Sequence, residues 1–139
     1  ARYYKMAIDN GCVASLYNYA KNLENGIGAE RNSSDAVYYY KMAIDKGYVD
    51  AMNAYGKMLE TGNGITVDYE NAAKYYKMAA DLNNEDGMYN YGLLLETGKG
   101  VKRDKKEAAR YYEMAAAKGH DKAKQRSADL KASVCCNIF

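Results

Sequence analysis

The chain has 139 residues, 48% hydrophobic and 27% charged, which excludes a disordered polymer and leaves room for one domain-sized core. No apolar run nears the roughly 20 residues of a membrane span, proline is absent, and three cysteines are too few for a disulfide framework. Net charge is +2 but uneven: residues 1–98 hold 9 Lys/Arg against 13 Asp/Glu (−4), and residues 99–139 hold 11 against 5 (+6).

The first element is a helix already under way at Ala1, so the chain reads as a segment of a longer one. Residues 1–11 are expected to be the second helix of a truncated repeat, because Tyr4-Lys5-Met6-Ala7 returns later. Tyr-Lys-Met-Ala recurs at Tyr40–Ala43 and Tyr76–Ala79, and Tyr112-Glu113-Met114-Ala115 follows, 36 residues apart each time. The same period carries Tyr19, Tyr55 and Tyr91, then Leu23, Leu59 and Leu95, then Glu24, Glu60 and Glu96. Gly26, Gly62 and Gly98 keep it, as do Gly28, Gly64 and Gly100. Self-similarity at this period is the signature of a stacked repeat.

Three full repeats follow, over 12–47, 48–83 and 84–119, each read as two helices. In the middle one, Ala51, Tyr55 and Leu59 stand at i, i+4 and i+8, one stripe of a helix. Thr61-Gly62-Asn63-Gly64 then breaks it, since glycine stops helices cheaply. A second helix begins near Asp68 as N-cap and presents Ala72, Ala73, Tyr76, Met78 and Ala79. It closes at Leu82-Asn83, where the other repeats close at Gly47 and Gly119. Such a hairpin buries its apolar face only by stacking on its neighbours, which predicts an all-α solenoid with tyrosines and methionines as its packing.

Residues 120–132 are expected to form a capping helix, with Lys122, Lys124, Arg126 and Lys131 outward. The register decays there: Ser127 replaces the tyrosine and Lys131 the leucine. Together, residues 1–132 make a single solenoid. Residues 133–139, Ser-Val-Cys-Cys-Asn-Ile-Phe, form a tail. Cys136 is fourth from the end in Cys-Asn-Ile-Phe, which fits the prenylation pattern, and the nearby lysines and arginines would supply the second membrane signal.

The stretch from Ala51 to Asn83, AMNAYGKMLETGNGITVDYENAAKYYKMAADLN, resembles the Sel1-like repeat family. Its Tyr-Gly, Gly-x-Gly-aliphatic, Asp, Asn-Ala-Ala and Tyr-Tyr elements carry the likeness, which covers residues 1–128. The resemblance implies a right-handed αα-superhelix like that of tetratricopeptide repeats and a role as adaptor or scaffold for other proteins. Some members tie each helix pair with a disulfide, and this chain does not resemble that branch.

Chemistry-bearing motifs are sparse. His120 stands alone at the entry to the last helix, and Cys12, Cys135 and Cys136 lack metal-ligand spacing. The Gly-x-Gly pairs lie between helices with no preceding strand, so they are turns rather than phosphate loops. The repeated glutamates are spread along the stack, not paired for acid–base work. No enzyme activity, metal or cofactor is expected. Lys102, Arg103, Lys105 and Lys106 read as a solvated helix start rather than a nucleic-acid surface.

A protein or peptide partner is expected on the concave face, lined by the first helix of each pair. The candidates are Tyr17, Lys21 and Glu24, then Asn53, Lys57 and Glu60, then Tyr89, Leu93 and Glu96. The glutamates have a second reading, holding backbone N–H groups or a lysine at the turn. The setting expected from cysteine usage is reducing and cytoplasmic. Two alternatives stand beside the soluble scaffold: one tethered to a membrane surface through a lipid on Cys136, and a regulatory part of a larger multidomain chain.

Overall fold

A computed structural model of the protein describes residues 13–26, 32–62 and 64–137, with 133–137 described by backbone alone. The Tyr4–Ala7 run and the expected helix over 1–11 lie outside the described residues. So do Cys12, Gly28, Ile138, Phe139 and the side chains of Cys135 and Cys136.

The described residues form seven α-helices and no strand: α1 Val13–Asn25, α2 Ser33–Asp45, α3 Val49–Thr61, α4 Tyr69–Asp81, α5 Glu85–Thr97, α6 Lys105–Ala117 and α7 Asp121–Asn137. The chain divides into two compact units, Ala1–Asp68 and Tyr69–Phe139. In the first, α2 packs against both α1 and α3. In the second, α5 lies against α4 and α6, and α6 against α7.

α2, α5 and α6 start where short polar side chains satisfy the free N–H groups of a first turn. Asn32 accepts from the Asp35 N–H (3.0 Å), Asn84 from Gly87 (2.8 Å) and Asp104 from Glu107 (3.1 Å). They end where the backbone turns left-handed. Gly62 and Gly98 do this after α3 and α5, and Gly47 and Gly119 after α2 and α6. Asn83 does it after α4, with φ 68°; no other non-glycine does so among the described residues. Asparagine tolerates that region better than other side chains, which is why it can stand in for the closing glycine.

Each long loop is pinned by the same bond. The N–H groups of Asn32, Asp68 and Asp104 donate to the carbonyls of Leu23, Leu59 and Leu95 at 2.8, 2.8 and 2.9 Å. Each short turn has its own: Tyr48, Asn84 and His120 donate to Ala43, Ala79 and Ala115 at 3.0, 3.1 and 3.1 Å. The 36-residue period is therefore a period of hydrogen bonds as well as of side chains.

The expected stripe is buried. Ala51, Tyr55 and Leu59 are in the core, as are Ala72, Ala73, Tyr76 and Ala79. In the second unit Met88, Leu95, Ala108, Tyr111, Tyr112, Ala115, Ala123 and Leu130 pack together with Ala80. Methionine departs from expectation. Met78 is only half-buried and Met114 is exposed, while the core methionines are Met52, Met58 and Met88. Met114 stands two residues after the fully buried Tyr112, about 200° round the helix, so one of the two must face out.

The last helix also departs. α7 runs to Asn137 instead of ending near Ala132, through both cysteines of the expected tail. Nothing from Asp121 to Asn137 is glycine or proline, so no residue there stops a helix. The fold is an all-α array of 36-residue helix hairpins. Among the described residues, no helix is long and apolar enough to cross a membrane.

Candidate functional site

The expected partner-facing residues sit on α1, α3 and α5, the first helices of the pairs. Lys21 and Lys57 are exposed, on α1 and α3 at the same register. The other seven are partly buried, and the surroundings of Tyr17, Glu24, Tyr89 and Glu96 are defined as follows.

Glu24 and Glu96 each accept a tyrosine hydroxyl from the next helix. Tyr40 Oη donates to Glu24 Oε2 at 2.6 Å, and Tyr112 Oη to Glu96 Oε1 at 2.8 Å. Both tyrosines are fully buried, so each hydroxyl needs this partner. Burial, and then the adjacent Glu24 carboxylate, push the Tyr40 hydroxyl well above the ordinary tyrosine range. Burial and Glu96 do the same to Tyr112. Glu24 and Glu96 thus hold phenol groups, a partner that the sequence reading did not consider. The spacing of 16 residues between each Glu and its Tyr recurs in the sequence, and that is where the signal lay.

The two other placed residues are tyrosines in stacks. The Tyr17 ring lies 5.2 Å from Tyr48 (interplanar 27°) and 6.0 Å from Tyr40 (47°). Its equivalent Tyr89 lies 4.7 Å from His120 (29°) and 5.9 Å from Tyr112 (45°). The same arrangement recurs 72 residues on, with a histidine in place of one ring. Lys21 Nζ reaches to 5.7 Å from the Tyr17 centroid, an intrahelical cation–π contact that leaves the ammonium in water.

His120 caps α7. Its Nδ1 accepts from the Ala123 N–H at 3.1 Å, which places the ring proton on Nε2, 3.1 Å from Asp86 Oδ1. The ring also joins α7 to α5.

Arg126 departs from the outward face drawn for it. It is half-buried and ion-paired through its guanidinium with Glu96 Oε2, beside the Tyr112 hydroxyl. The hydrogen bond to Glu96 raises the Arg126 pKa above the usual arginine value. Arg126 stands where Asn18, Ala54 and Asn90 stand in the repeats, and only a long side chain reaches back across one hairpin. Lys131 keeps to the surface and pairs with Glu113 at 3.2 Å.

These side chains hold helices together and leave Lys21 and Lys57 as exposed charges on an ordered frame. Among the described residues, no group of three or more His, Cys, Asp or Glu could hold a metal ion.

The phenol–carboxylate pairs carry a pH prediction. A tyrosine in the unfolded chain ionises near pH 10, whereas Tyr40 and Tyr112 in the folded chain ionise higher. Below pH 10 both states keep the proton and the stabilisation is complete. Above it only the unfolded chain releases the proton, so stability falls as pH rises toward the raised values. In an alkaline titration, the phenolate absorbance of these two tyrosines should appear together with loss of helical circular dichroism. Their ionisation with helices intact would refute the burial argument.

Comparison with known proteins bears on the frame. The Sel1 repeat family model matches residues 13–48, 49–84 and 85–120. The chain is similar to a Sel1 repeat protein from Oxalobacter formigenes, at 32% identity over 92% of this chain and 96% of that one, with a TM-score of 0.82. It is similar to c5321, a protective antigen of uropathogenic Escherichia coli displaying an SLR fold, at 30% identity over 88% of this chain and 26% of that one (TM-score 0.84). Helicobacter pylori cysteine-rich protein B follows at 25% identity, over 88% of this chain and 92% of that one (TM-score 0.68). Among curated proteins no match was found. Sel1 repeats serve in general as protein-interaction scaffolds. Three consecutive matches cover most of the sequence, in the register that the hydrogen bonds and ring stacks repeat, and the chain belongs to the Sel1 repeat family.

Proposed function

We propose that the protein is a non-catalytic scaffold that holds a peptide or protein partner on the first helices of its pairs. In the first unit, Lys21 and Lys57 would make the charged contacts, and Tyr17, Glu24, Asn53 and Glu60 would form the frame around them. Tyr89, Leu93 and Glu96 are the register equivalents in the second unit. The observation that carries this reading is the contrast at the matched register: the two lysines are exposed, while Tyr17 and Glu24 beside Lys21 are tied into the fold. A frame that is already ordered loses little entropy when a partner binds, so its exposed charges can select one.

The test compares partners captured from a lysate by three versions of the protein. Lys21→Glu with Lys57→Glu should weaken the capture of a specific partner by roughly tenfold at unchanged helix content. Lys74→Glu, on the second helix of a pair, should not. A partner lost on Lys74→Glu and retained by the double variant would reject this face.

A further inference from the structure

Residues 27–34, 63–70 and 99–106 are register equivalents: in each repeat they lead from the long loop into the second helix. Each is held by the same bond, from the N–H of Asn32, Asp68 or Asp104 to a leucine carbonyl, and that bond needs no charged side chain. The charges nevertheless differ. Residues 27–34 hold Glu30 and Arg31, a net of zero, and 63–70 hold Asp68 and Glu70, a net −2. Residues 99–106 hold Lys99, Lys102, Arg103, Lys105 and Lys106 against Asp104, a net +4. The third loop closes as the other two do, so its cations are not what closes it.

Two of these cations work against the fold. Lys105 and Lys106 stand in the first turn of α6, where the helix dipole disfavours positive charge. The equivalent turns hold none: α2 opens Ser33-Ser34-Asp35 and α4 opens Tyr69-Glu70-Asn71. All five cations are exposed. Lys99 Nζ lies 5.4 Å from the Tyr69 centroid, and Arg103 Nε donates to the Glu96 carbonyl at 3.2 Å, so these two are engaged within the fold. Among the described residues, Lys102, Lys105 and Lys106 have no anionic partner. The nearby acids have other work. Asp104 caps α6, and Glu107 pairs with Arg110 at 2.9 Å. Glu70 is exposed at the start of α4, beside Gly100.

We propose that the 99–106 loop and the first turn of α6 form an interaction surface for an acidic segment of a partner protein. Lys102, Lys105 and Lys106 would receive its Asp and Glu carboxylates. Carboxylates arriving there also meet the positive end of α6, which offsets what the two lysines cost the free helix. A protein segment fits better than a bilayer or a nucleic acid. Glu70, Asp104 and Glu107 interrupt the cations, which repels a continuous array of phosphates but lets a short peptide choose its contacts. The Tyr69 ring, on which a base would otherwise stack, already carries Lys99. This surface lies in the second unit, so it does not rest on the Lys21 and Lys57 reading.

The probe is a fluorescein-labelled peptide of alternating glycine and glutamate, compared with a version carrying glutamine in place of glutamate. At about 0.15 M salt, where charges are felt over roughly 8 Å, fluorescence anisotropy should show binding of the glutamate peptide and none of the glutamine peptide. Lys102→Glu with Lys105→Glu and Lys106→Glu should weaken that binding by about tenfold or more. Lys118→Glu, at the other end of α6, should keep it within about twofold. Lys105→Glu with Lys106→Glu restores acids to the first turn, so the thermal midpoint followed by circular dichroism should be held or raised. A lowered midpoint would mean that these lysines serve the fold, and would overturn the proposal. So would no binding of the glutamate peptide, equal binding of the glutamine peptide, or a loss in Lys118→Glu as large as in the triple variant. Phosphatidylserine vesicles or single-stranded RNA bound more tightly than the peptide through the same three lysines would also overturn it, by assigning the loop to a lipid surface or a nucleic acid.

Discussion

Replacing Tyr112 by alanine should lower the stability of the protein by roughly 3–5 kcal/mol, the range for truncating a large buried ring. The side chain is fully buried among Ala108, Ala115, Leu95 and Met88, and its hydroxyl satisfies Glu96. Its ring also lies where a Cβ on Gly92 would be, 2.7 Å from that position, so glycine there lets α6 approach α5 closely. Alanine would therefore leave a cavity with a backbone floor that cannot collapse into it. Most small domains have only about 5–15 kcal/mol to lose, and contacts between neighbours are all that hold a repeat array together. Urea unfolding followed by circular dichroism reads the change. Tyr112→Phe separates the parts: it keeps the ring, leaves Glu96 to Arg126 alone, and should cost about 1 kcal/mol. A Tyr112→Ala midpoint equal to that of the parent would sink the core placement.

Gly100→Ala should cost roughly 2–4 kcal/mol, although it adds one methyl group to a loop. Two effects add. The residue has φ 72°, which alanine adopts with strain, and the new Cβ would sit 2.2 Å from the Tyr69 carbonyl oxygen and 2.7 Å from the Glu70 nitrogen. That backbone is the start of α4 and cannot rotate aside as a side chain would. Gly47→Ala is the matched control. Its φ is 84°, but nothing lies within 4 Å of the added Cβ, so it should cost only about 1 kcal/mol. Thermal midpoints of the two variants measure the difference directly. Equal costs would mean that conformation alone, not the close approach to α4, keeps glycine at position 100.

This pair of glycines shows where reading the chain alone stopped. The Gly-x-Gly motifs were legible as turns. The second glycine does more: Gly64 faces Ser33 at the start of α2, with a would-be Cβ 2.0 Å from its hydroxyl, just as Gly100 faces Tyr69. A period of 36 specifies which residues are equivalent, but not which equivalents touch. Helices, loops, closing residues and the Ala51–Tyr55–Leu59 stripe depend on local pattern and were therefore readable. The Glu–Tyr pairs depend on how a second helix lies across the first. Glu24 and Glu96 on their own helices look like partly exposed charges, and only the crossing brings Tyr40 and Tyr112 to them. Arg126 escaped for the same reason, since its partner Glu96 is 30 residues away. Met114 escaped for another: a repeated residue need not be a buried one.

The spans of these bonds have a kinetic consequence. Tyr40 and Glu24 are 16 residues apart, Tyr112 and Glu96 the same, Arg126 and Glu96 30, and His120 and Asp86 34. Each therefore closes within about one repeat, so little chain entropy is lost before native contacts reward it. Folding should fall in the microsecond-to-millisecond range of helical proteins with local contacts. On the ribosome, Tyr40 can find Glu24 while the later repeats are still being made, and the array can assemble from its first hairpin onward.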